Sequence, residues 1–133
     1  MSVKIKALHG LSEPGKLNTE WMVVINEGEA PFNAESCSIT VAKGQARPRT
    51  VTTFKAGLVI KGGETCRLVT GSSGKKSHGD APVEENVRNV HLFLKAAYLE
   101  KGGSVVRLMN RQLEVGKAVF EPDAETGILP EGN

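Results

Sequence analysis

Apolar and polar residues alternate with a period of two along most of this chain, and glycines fall at the joints between the alternating runs. That pattern is the strongest constraint on what the chain can fold into, because a period of two places one set of side chains on each face of an extended strand. Val3, Ile5 and Ala7 alternate with Lys4 and Lys6 before Pro14 and Gly15 interrupt. Thr19 to Asn26 reads TEWMVVIN and is apolar on both faces, as expected of a central strand, and Glu27 to Pro31 reads as a turn. Ser36 to Ala42, Thr50 to Phe54, Leu58 to Ile60, Glu64 to Thr70, Val90 to Lys95, Ser104 to Met109 and Val115 to Phe120 continue the series. Gly57, Gly62, Gly63, Gly71, Gly74, Gly102 and Gly103 punctuate it. Short runs about every 8 to 12 residues with glycine joints predict a β-sandwich or barrel. A single helical turn or two is expected only at Val83 to Arg88, after Pro82.

The 133 residues suit one domain with one modest core. Aromatic residues make up only 5%, so the core is expected to be aliphatic, with Trp21, Val23, Ile25, Ile39, Leu68, Leu92, Leu94, Val106 and Leu108 among it. No run reaches the ~20 apolar residues of a membrane helix, and Met-Ser-Val-Lys-Ile-Lys lacks the apolar core of a signal peptide, so a cytoplasmic location is expected. Cys37 and Cys66 stand among alternating apolar residues. They read as small buried side chains on neighbouring strands, reduced rather than bridged.

Charge is uneven along the chain. Of the 15 acidic residues, Glu121, Asp123, Glu125 and Glu131 follow position 120, where no Lys or Arg occurs. Residues 1–120 therefore carry 17 basic against 11 acidic groups, a net +6, and residues 121–133 a net −4. The tail, EPDAETGILPEGN, reads as a flexible acidic extension of a domain spanning 1–120. Lys4 and Lys6 on one strand face, Arg47 and Arg49, Lys75 and Lys76, and Arg107 and Arg111 would form a basic stripe for nucleic acid or another polyanion if they shared a face. The scarcity of aromatic residues on which bases could stack makes such binding weak and indifferent to sequence.

The candidate chemistry reads mostly as connection rather than catalysis. The stretch VTGSSGKK resembles a phosphate-binding loop, but Val69 stands where the first glycine is required and Lys76 where the magnesium-binding hydroxyl belongs. Gly79 and Pro82 also forbid the helix that would follow, so the loop reads as a mobile connector. Ser77, His78 and Asp80 supply the residue types of a hydrolytic triad, but near-consecutive side chains diverge along an extended loop. His78 and Asp80 with Glu84 or Glu85 lack the paired spacing of a zinc site. His9 and His91 read as strand-surface histidines, and Glu84 and Glu85 as solvated. No enzyme activity, metal or cofactor is expected.

Three segments in order carry a family resemblance. LNTEWMVVINEGEAPFNAES at 17–36, through Glu20, Trp21, Val23, Ile25, Asn26, Gly28, Pro31 and Phe32, resembles the opening strand, turn and strand of the lamin tail domain. GGETCRLVTGSSG at 62–74 and GGSVVRLMNRQLEVGKAVF at 102–120 resemble that family's later strand and closing hairpin. Cys37 or Ser38 stands where the family has a tryptophan, and Leu99-Glu100-Lys101 replaces an aromatic and asparagine motif. The resemblance, to a bacterial-type member, implies an immunoglobulin-like β-sandwich of roughly seven to nine strands. It implies no catalytic residues, and a role in association, here with a protein partner or through self-association; polyanion binding is the alternative.

Overall fold

A computed structural model describes residues 2–130. The described residues form an all-β sandwich of ten strands: β1 (Val3–His9), β2 (Trp21–Asn26), β3 (Phe32–Asn33), β4 (Cys37–Lys43), β5 (Arg49–Thr53), β6 (Val59–Ile60), β7 (Thr65–Val69), β8 (Val87–His91), β9 (Ser104–Asn110) and β10 (Leu113–Val119). Two four-stranded sheets, ordered β1-β2-β7-β8 and β10-β9-β4-β5, hold eight of them, and β3 pairs with β6 to one side. Most strands lie within two residues of the alternating runs. β6 falls within the run Leu58 to Ile60, whereas β3 was not separable from its turn by pattern, because a two-residue strand has no period.

The core lies between the sheets, where Met22, Val24, Cys66 and Leu68 of one meet Cys37, Ile39, Val41, Val106 and Leu108 of the other. β2 therefore faces inward through Met22 and Val24, both fully buried. The expectation that Trp21, Val23 and Ile25 form the core face is corrected: they share the outer face, with Trp21 and Ile25 only half-buried. With both faces of β2 apolar, alternation alone could not decide which one turns inward; the pairing with β1 and β7 does. Leu92 and Leu94 lie at the edge of the core, partly buried. Cys37 and Cys66 are buried free thiols, but on β4 and β7 they belong to opposite sheets rather than neighbouring strands. Burial raises the pKa of both.

The helix expected over 83–88 does not form: residues 85–86 make a turn that leads into β8 at Val87. β8 runs parallel to β7, with Thr65 opposite Val87 and Val69 opposite His91. A parallel neighbour requires a crossover, and residues 70–86 provide it. Its later part is held over the outer face of the first sheet, where Arg67 donates to the Pro82 carbonyl (3.1 Å) and the Glu84 carboxylate (2.8 Å). Those bonds, with the ladder to β7, outweigh the weak local helix propensity. Because the crossover lies there, Arg67 and Val69 are buried although they point away from the core.

The acidic segment after Phe120, expected to be flexible, is hydrogen-bonded as far as Leu129. The Leu8 amide donates to the Thr126 carbonyl (2.9 Å), Glu121 N–H to Gly127 (2.8 Å), and Leu129 N–H to Val119 (2.8 Å). Residues 126–129 thus bond to β1 on one side and β10 on the other, across the seam between the sheets. A β-carbon on Gly127 would lie 1.7 Å from the Leu8 carbonyl oxygen, and its φ of +75° also favours glycine. Glu131 lies outside the described residues.

Candidate functional site

A groove of about 690 Å³ lies at the seam, where the end of β1, the 99–102 loop and the C-terminal segment meet. Leu8, His9, Trp21, Leu99 and Phe120 contribute to its lining. Trp21 is fixed from two directions. The His9 ring stacks on it at 4.7 Å with planes 9° apart, and the Arg67 guanidinium lies 4.8 Å from its ring centre, a cation–π distance. His9 Nδ1 is 2.7 Å from the Thr19 carbonyl. A carbonyl only accepts, so that nitrogen carries the proton.

Behind the groove lies a buried acid. Glu20 is fully buried, and its carboxylate accepts from Thr70 Oγ1 (2.8 Å), Tyr98 N–H (3.1 Å) and Leu99 N–H (3.0 Å). Burial raises its pKa, against the opposing pull of those hydrogen bonds. Two of the donors belong to the backbone that leads into the groove wall, so Glu20 positions Leu99. The neighbouring Tyr98 phenol is pushed up by burial and by Glu20, and its hydroxyl has no protein partner. Sequence reading missed Glu20 and Arg67 as buried groups, since each occupies a position where alternation predicts a polar or surface residue. The one signal was position: Arg67 sits inside the apolar strand β7 and Glu20 immediately before the apolar strand β2.

The glycine-lysine loop is anchored rather than mobile at its ends. Asn18 Nδ2 donates to the Ser72 and Gly79 carbonyls (3.0 and 2.8 Å), and His78 Nδ1 accepts from Ser72 N–H (3.0 Å). That contact occupies the ring nitrogen an orienting acid would use in a triad. Among the described residues no group of three or more His, Cys, Asp or Glu is arranged to hold a metal ion. Glu84, read as solvated, is ion-paired with buried Arg67.

The eight candidate polyanion-binding residues are spread over the surface. Lys4 pairs with Glu27 at 2.9 Å and Arg107 with Glu114 at 3.1 Å. Lys6, Arg47, Arg49, Lys75 and Lys76 are exposed. In the first sheet Lys4 lies at the end where Val3 meets Asn26, while Lys75 and Lys76 follow the opposite end, where His9 meets Trp21. In the second, Arg111 follows the end where Cys37 meets Asn110, and Arg47 and Arg49 lie beyond or near the end where Val41 meets Val106.

No helix among the described residues is long and apolar enough to cross a membrane. The sequence matches no protein-family model and no curated protein.

Proposed function

We propose that this protein is a non-catalytic binding module of the lamin-tail, immunoglobulin-like kind, which docks a protein partner. One observation carries the reading: a groove containing aromatic side chains, one of them held by stacking on both a histidine and an arginine, and built from segments distant in sequence on a rigid two-sheet scaffold. Preorganised apolar concavities of this kind favour association because little side-chain freedom remains to be lost on binding. The polyanion alternative has less support, because its basic residues occupy opposite ends of both sheets and two of them are already paired.

A photo-crosslinking residue placed at Leu11, in the groove, and separately at Lys117, on the outer face of β10, tests this in cells. The expected result is a protein adduct formed from position 11 and not from position 117. Size-exclusion chromatography with light scattering then tells whether the adduct is a second copy. Equal labelling from both positions, or a hydrolase activity abolished by His78→Ala, would overturn the proposal.

A further inference from the structure

We infer that the groove receives an extended segment of polypeptide bearing lysine or arginine, an inference that rests on the protein-interaction reading and names the chemistry of its partner. Two features of the groove point to a polypeptide and to its charge.

The first is unpaired backbone. β1 ends at His9, and the chain continues along the groove through Gly10, Leu11 and Ser12. The Leu8 amide is taken by Thr126 and the Ser12 amide by the Thr19 hydroxyl. Among the described residues, the amides and carbonyls of Gly10 and Leu11 have no hydrogen-bond partner. An extended peptide laid beside them would continue the β1 ladder, the mode by which sheet edges capture strands. A small molecule would not satisfy this run of donors and acceptors as a strand does.

The second is charge. Glu100 and Glu125 line the groove, and no lysine or arginine does. Glu100 has one distant partner, Lys43 at 3.9 Å, with both side chains more than half exposed; such a contact contributes little and yields readily to a competitor. The groove is thus acidic on a chain whose net charge is +2. A lysine or arginine side chain matches both parts of the lining, laying its aliphatic stem along half-buried Leu11 and Trp21 while its charged head meets a carboxylate. Complementary charge of this kind selects among partners more than it adds raw affinity.

The test uses the full chain and two fluorescein-labelled synthetic peptides, one alternating Lys with Val and the other alternating Glu with Val, followed by fluorescence anisotropy. Saturable binding of the Lys-Val peptide is expected, with weaker binding of the Glu-Val peptide. The double variant Glu100→Gln with Glu125→Gln should reduce affinity for the Lys-Val peptide about fivefold or more, with the fold intact because both side chains are exposed. General attraction to a cationic chain would instead favour the Glu-Val peptide. Equal binding of both peptides, or an affinity unchanged in the double variant, would overturn the basic-partner assignment while a groove-specific crosslink kept the interaction reading. Failure of both peptides together with loss of the position-11 crosslink would overturn both.

Discussion

Arg67 lies beneath the crossover between two parallel strands, its guanidinium 4.8 Å from the ring centre of Trp21 on one side and 2.8 Å from Glu84 on another. The contact joins the outer face of β2 to the loop that covers it. Replacing Arg67 with alanine removes the bonds to Pro82, Asn89 and Glu84. Since Glu84 is largely exposed and stays solvated, the loss should be about 2 to 3 kcal/mol in urea unfolding, and Glu84→Gln should cost about 1 kcal/mol or less. Equal and small effects would show that the crossover is not held by this arginine.

Glu20 should make stability fall as pH rises. Its folded pKa lies above the ordinary value of 4.5, so the folded state binds the proton more tightly than the unfolded chain. The resulting stabilisation is fully present below the unfolded pKa and is lost as pH climbs through the raised folded value. Urea unfolding of the native protein and of Glu20→Gln at a series of pH values isolates this component. The native protein should lose stability relative to the variant across that window, and a difference that rises with pH would contradict the assignment. Glu20→Ala, which strands the Tyr98 and Leu99 amides, should cost about 3 kcal/mol or more.

The inward face of β2 can be checked by truncation. Met22→Ala and Leu68→Ala remove fully or almost fully buried side chains and should each cost about 2 to 5 kcal/mol. Ile25→Ala, on the outer face and half-buried, should cost about 1 kcal/mol. The reverse order in chemical denaturation would mean the two faces of the strand are exchanged.

Gly127→Ala should detach the C-terminal segment from the seam, because its β-carbon has no room beside the Leu8 carbonyl. Hydrogen exchange at the Leu8 amide, now protected by Thr126, is expected to accelerate at least tenfold, the equivalent of about 1.4 kcal/mol of local stability. An unchanged exchange rate would mean that the segment contributes no protection to β1.

Alternation and glycine spacing by themselves determined that this chain forms a β-sandwich or barrel and where eight of its strands run, because a period of two is a local property that each strand carries alone. They could not orient β2, where TEWMVVIN is apolar on both sides, nor recognise Val87 to His91 as a parallel strand, since its pairing depends on β7 some twenty positions away. The groove was illegible for the same reason: Trp21, Leu99, Phe120 and Gly127 converge only once the sheets have packed. The tail is the clearest case. Its composition, rich in acid, proline and glycine, describes a segment with little drive to order alone. Tertiary structure decided otherwise, because β1 and β10 leave unpaired backbone at the seam and Gly127 is small enough to lie against Leu8 and satisfy it.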